Sequence, residues 1–227
     1  MITKSNLKNM LISAGFSDTS NDKYEKYYPL SDCSIVVDFR KEKIIYPENK
    51  GFKVNIATTT NFSEPENFVV LECVNKLLGK GYRPENIELE RTWTLGHKQK
   101  GGRADICVSD QNGKMLFIVE CKTYGSEYNK EMKNILSDGG QLISYWQQDR
   151  GFRWLVLYAS NINGNDEIEY TTDSINCSDD ENILNLAKKD PTILLYKNAH
   201  TVPELYKVWK ETYEQRFSGN IIFSKDS

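Results

Sequence analysis

The chain has 227 residues, a net charge of −3 and a charged fraction of 27%. That length suits one domain, or one domain with a small appendage, and a sizeable core. The mildly acidic balance argues against an autonomous basic DNA-binding protein, and the absence of a long apolar run or a signal-peptide core points to a cytoplasmic protein without membrane association.

Five cysteines cannot all pair. Cys73, Cys107 and Cys121 fall on expected helix or strand positions without metal-ligand spacing, so they read as small buried hydrophobes in a reducing compartment. His97 and His200 are the two histidines, too few for a histidine-ligated metal site or a histidine base of evident pattern. His97, in a Gly-flanked basic stretch, reads as a loop residue.

Along the chain, Ser5 is placed to cap a short helix whose stripe is Leu7, Met10, Leu11 and Ala14, with Gly15 as its stop. Residues 33–39 and 43–46 read as strands, the second ended by Pro47. Residues 1–55 are therefore expected to form a small α+β appendage. Residues 57–63, rich in Thr, Asn and Ser, read as a linker. Ser63 and Glu66 form a capping box before a helix running to about Leu78, with Phe68, Leu71, Val74 and Leu78 on its apolar stripe. Gly79 and Gly81 end that helix. The Gly-Lys pair at Gly79 and Lys80 lacks the flanking residues of a phosphate loop, so no ATP site is expected.

Residues 88–95 read as a strand. The stretch from Arg91 to Ala104 contains Arg91, Lys98, Lys100 and Arg103 and no acid. It reads as a loop, and its position just before Asp105 makes Lys98, Lys100 and Arg103 candidate phosphate contacts. Two short apolar runs, within 102–108 and 117–122, flank Asn112-Gly113 and read as a hairpin. A two-residue loop at Asn112 and Gly113 sets Gln111 against Lys114 and therefore Asp105 against Glu120. Residues so opposed share a face, with Cβ atoms roughly 5 Å apart. Lys122 shares that face and Cys121 points away. Met115 to Val119 is almost wholly apolar, as for a strand buried on both faces. Charges in such a strand are costly unless paired or bound to metal. A divalent cation between Asp105 and Glu120, with an ammonium beside it, makes a site for phosphodiester hydrolysis. Mg²⁺ suits such oxygen ligands, and Mn²⁺ can substitute.

Residues 127–136 read as a helix, Gly139-Gly140 as an interruption, and 141–148 as a second helical piece. Residues 152–159 form an apolar run that suits a buried parallel strand, joined through a helix to the strand of Val119 by a right-handed crossover. A strand over 167–175, a helix over 179–189 and a helix from Thr201 carrying Leu205, Val208, Trp209 and Tyr213 complete the chain.

Asp105 followed by Glu120-Cys121-Lys122 resembles the PD-(D/E)xK nuclease superfamily, with Ala104 where the family often has Pro. Gln141 and Tyr145 match the Gln-x-x-x-Tyr motif of RecB-type nucleases and of type I restriction subunits. Tyr46-Pro47, Glu66 to Val70 and Gly81-Tyr82 also resemble the N-terminal region of type I restriction proteins. The resemblance implies an α/β restriction-endonuclease-like core of order α-β-β-β-α-β. Its mixed central sheet would be flanked by helices over 64–160, with residues 161–227 adding a strand and helices. It implies Asp105, Glu120 and the Cys121 carbonyl as Mg²⁺ ligands, and Lys122 as the group acting on water or phosphate. Gln141 and Tyr145, one helical turn apart, would hold DNA phosphate or position Lys122. Glu66 is an additional acid in this scheme or an ordinary capping residue. The implied partners are double-stranded DNA and motor, methyltransferase and specificity domains or subunits. The chain is then expected to be a fragment of a longer restriction protein. A stand-alone repair nuclease or junction resolvase is the second reading, and an inactive DNA-binding or subunit-docking module of the same fold the third. The reading frame beyond Ser227 separates the first two.

Overall fold

A computed structural model describes residues 1–95, 99–110, 112–138, 145, 154–176 and 197–199. The N-terminal part begins with helix α1 (Leu7–Ser13) and continues through strands β1 (Ser17–Asp18), β2 (Lys23–Tyr28), β3 (Cys33–Asp38) and β4 (Lys43–Ile45). These strands pair in sequence order as a four-stranded antiparallel sheet. Helix α1 is not capped by Ser5. Asn6 holds the N-cap position without a side-chain cap to the helix, its Oδ1 instead accepting from the Thr3 amide. Gly15 does end the helix, at a φ of +85° that favours glycine. Strand β2 carries no clean apolar alternation, and periodicity alone did not indicate it.

Strand β5 (Lys53–Val54) leaves this unit and pairs in parallel with β6 (Ile87–Leu95). Between them lies helix α2 (Glu66–Gly79). The segment expected to be a linker is tied down. Residues 57–60 form a 3-10 turn, and the Asn67 side chain donates to the carbonyls of Thr58 and Asn61. Pro65 stands at the N-cap of α2 with no side-chain cap, so the Ser63–Glu66 capping box does not form.

Strands β7 (Gln99–Ser109) and β8 (Met115–Cys121) follow. Helix α3 (Ser126–Asp138) then leads to β9 (Trp154–Ile162), β10 (Ile168–Asn176) and β11 (Lys197–Ala199). These build a seven-stranded mixed sheet in the order β11-β10-β9-β8-β7-β6-β5, with β8 and β9 parallel across α3. The strand expected over 88–95 is present as β6, and the basic stretch after it, read as a loop, is strand again from Gln99. The expected Gly139-Gly140 break, most of the 141–148 helix, and the helices over 179–189 and from Thr201 fall outside the described residues.

Every residue of β8 is buried, as its apolar run predicts. Phe117, Val119 and Cys121 join Trp154, Val156 and Tyr158 in one apolar cluster with α2 and the N-terminal unit. Ile118 joins Leu155, Leu157 and Ala159 in a second cluster with Tyr128 and Ile135 of α3. The period-2 alternation thus sorts the side chains to the two sheet faces.

Helix α2 differs most from its amphipathic reading. Val69, Val70, Cys73 and Leu77 are buried along with the expected stripe, and so are Glu72 and Asn75. The N-terminal unit covers the face that the pattern assigned to water, so the helix is enclosed on nearly all sides. Its polar residues are satisfied internally. Glu72 accepts from the hydroxyls of Tyr158 and Tyr170, the latter at 2.8 Å. Asn75 Oδ1 accepts from Tyr28 Oη at 2.9 Å and Lys26 Nζ at 2.8 Å. Removing the acceptor takes a hydrogen bond from each of two buried hydroxyls and leaves a gap. Glu72→Ala should therefore cost about 3 kcal/mol or more, measured by urea denaturation. A loss below about 1 kcal/mol would show that this network does not hold α2 to the sheet.

Candidate active site

The ladder between β7 and β8 runs through Ile106 opposite Val119, so the next pair outward is Asp105 and Glu120. This register matches the expectation, but by a different route. The amide of Asp110 donates to the Lys114 carbonyl, which makes the turn one residue longer than the Asn-Gly count supposes. A register shift between Val108 and Ser109 takes up the difference. Asp110 closes the turn through Oδ1, which accepts from the amides of Asn112 and Lys114 at 2.8 and 2.7 Å. Two errors of one residue cancel before the site is reached.

Asp105 is 6% exposed and Glu120 2%. Asp105 Oδ2 accepts from the Cys121 amide at 2.7 Å. Lys122 Nζ lies 2.5 Å from Glu120 Oε1 and 3.6 Å from Glu66 Oε2. Cys121 packs into the cluster on the α2 side of the sheet, away from these charges. Glu66, in the first turn of α2, thus faces the site rather than its own helix end.

Tyr145 is fully buried and stacks on Trp93 with ring centroids 5.5 Å apart. Its hydroxyl lies 2.5 Å from the Arg103 carbonyl and 3.1 Å from Glu120 Oε2. Tyr145 thus touches Glu120, the carboxylate on which Lys122 sits. Burial keeps it from solvent, and its contact is with Glu120 and the β7 backbone. Gln141 and Lys98 lie outside the described residues, as does the side chain of Lys100. Arg103 is paired, its Nε 2.5 Å from Glu90 Oε2.

Glu90 is the site residue that sequence reasoning missed. Leu89 pairs with Ile106 and Arg91 with Ala104, which places Glu90 beside Asp105 on the other side of β7. Glu90, Asp105 and Glu120 therefore occupy neighbouring positions on three adjacent strands. The available signal is a Glu inside the strand expected over 88–95.

Like charges and burial act together on these groups. Burial, then the Glu120 charge, push the Asp105 carboxyl well above its usual range. Burial raises Glu120 to about 7, although Lys122 and Tyr145 pull the other way. Burial, then Asp105, raise Glu66 to about 7. Burial pulls the Lys122 ammonium down, but Glu120, Asp105 and Glu66 outweigh it and leave it raised. One cation among several carboxylates leaves part of their charge uncompensated. Asp105, Glu120 and the Cys121 carbonyl are hard oxygen donors, which fit a divalent cation that keeps several waters. Among the described residues no three His, Cys, Asp or Glu side chains form a metal cage.

Glu120 ionises near 4.5 when unfolded and holds its proton to about 7 in the fold. Its contribution is complete at low pH and is lost as pH rises between those values. Without divalent cations, Glu120→Gln should gain on wild type by on the order of 1–3 kcal/mol from pH 4.5 to 7, read by urea denaturation. A difference that does not vary with pH would contradict this charge balance.

No helix among the described residues is long and apolar enough to cross a membrane. No curated protein matches the chain. The stretch from the start of α2 into β9 contains Glu66, Glu90, Asp105, Glu120, Lys122 and Tyr145, and it is this stretch, residues 65–157, that matches the family described as the type I restriction enzyme R protein N terminus.

Proposed function

We propose that this chain is the Mg²⁺-dependent DNA-cleaving module of a type I restriction enzyme, with a PD-(D/E)xK core of the restriction-endonuclease type over residues 64–160. The observation that carries this reading is the buried, directly opposed pair Asp105 and Glu120 with Lys122 on Glu120, inside the segment that matches the restriction family.

Asp105, Glu120 and the carbonyl of Cys121 would hold Mg²⁺, with Mn²⁺ as a substitute. When bound, the ion polarises the scissile phosphate and lowers the pKa of a water. The chain's own groups do the rest. Lys122 donates from Nζ to the attacking water and to the phosphate oxygen on which charge grows. The water oxygen bonds to phosphorus as the bond to the leaving oxygen breaks, and the water proton passes to a Glu66 oxygen. A carboxyl near 7 accepts a proton well at neutral pH. Tyr145 fixes Glu120 by its hydroxyl, and Arg103 contacts the DNA backbone. The acidic net charge leaves most DNA affinity to other parts of the enzyme. Its partners would be double-stranded DNA and the motor, methyltransferase and specificity domains or subunits.

In the full-length enzyme, Lys122→Ala should lower cleavage about 100- to 1000-fold while the fold and most Mg²⁺ binding remain. Cleavage near the wild-type rate would remove the nuclease assignment. Calorimetry supplies a second check, because Asp105→Asn should bind Mg²⁺ more weakly than wild type. Equal affinities would mean that the ion's ligands lie elsewhere.

A further inference from the structure

Glu90 is 1% exposed, yet its backbone adopts a φ of +56° in the middle of β6. A non-glycine residue there is strained, and such strain persists only where its surroundings enforce it. Nε of Arg103 sits 2.5 Å from Glu90 Oε2, an ion pair without the alignment of a hydrogen bond. The Arg103 side chain is nonetheless 48% exposed. Its backbone is held as well, since its carbonyl accepts from the Tyr145 hydroxyl. Its two terminal nitrogens have no protein partner among the described residues.

A buried carboxylate needs a cation. Arginine can supply one through Nε and still offer both terminal nitrogens to a phosphate in a bidentate contact. Lysine, with a single ammonium nitrogen, has no planar pair of nitrogens left for that bidentate contact. Arg103 lies two residues before Asp105, so a phosphate bound by it would lie beside the carboxylates. We infer that Glu90 is a positioning residue, which tethers Arg103 through Nε and presents its terminal nitrogens to a DNA phosphate next to the cleavage site. This rests on the nuclease reading above.

The test is a double-mutant cycle read by single-turnover DNA cleavage in the full-length enzyme. Arg103→Ala and Glu90→Gln should each slow cleavage on the order of 10- to 100-fold. The double variant should be no slower than Arg103→Ala alone, because Glu90 acts through Arg103. Arg103→Lys should not rescue. Effects that multiply in the double variant would overturn the tether. A second readout does not need activity. In duplex DNA binding by this chain without divalent cations, Arg103→Ala should reduce the salt slope by about one, and Glu90→Gln should weaken wild type but not Arg103→Ala. An unchanged slope overturns the inference whether or not the enzyme cuts. Cleavage that does not depend on Lys122 would instead defeat the nuclease reading, and the slope would still decide whether Arg103 touches phosphate. A purely structural Glu90 would lower the melting temperature and leave the two residues uncoupled.

Discussion

Two carboxylates fixed face to face in a buried position are the constraint on which the site depends. Asp105 and Glu120 are neighbours because β7 and β8 keep one register from Val108 through Ile106 toward the site. Slipping that register by one residue would send Glu120 to the opposite face. The register is guarded at both ends. Asp110 closes the turn with two amide contacts, and the Cys121 amide donates to Asp105 at the site itself. The parallel pairing of β8 with β9 adds a second ladder, and the Lys122 amide continues it to the Tyr158 carbonyl. The fold thus holds together charges that would otherwise part.

Much of this was legible because the informative signals were local or spanned a single hairpin. The apolar run of β8 marked a strand buried on both faces, and Glu120 in it and Lys122 just beyond it stood out against that background. The run at 152–159 marked β9 as a buried strand in the same way. The turn was less secure. Its loop is longer than supposed, and the shift near Ser109 restores the pairing, a compensation that no residue type announces.

The rest was hidden because it depends on contacts between distant segments. Helix α2 looks amphipathic, yet Glu72 and Asn75 are buried against tyrosines that lie far away in sequence. Strand β2 has no apolar alternation to reveal it. Glu66 had the spacing of a capping box, but the nearby ammonium of Lys122 draws its carboxylate into the site. Glu90 could not be recognised before the sheet order set β6 beside β7. Tyr145 had the spacing of a known motif, but its burial and its contact with Glu120 belong to the tertiary structure.

The central claim is that the opposed carboxylates form a cation site completed by a backbone carbonyl. Anomalous scattering from crystals grown with Mn²⁺ tests this most directly. The account predicts a peak within coordination distance of Asp105, Glu120 and the Cys121 carbonyl, with Lys122 free to turn from Glu120 toward the phosphate. A well-ordered site without such a peak, with Lys122 still seated on Glu120 at saturating Mn²⁺, would contradict it.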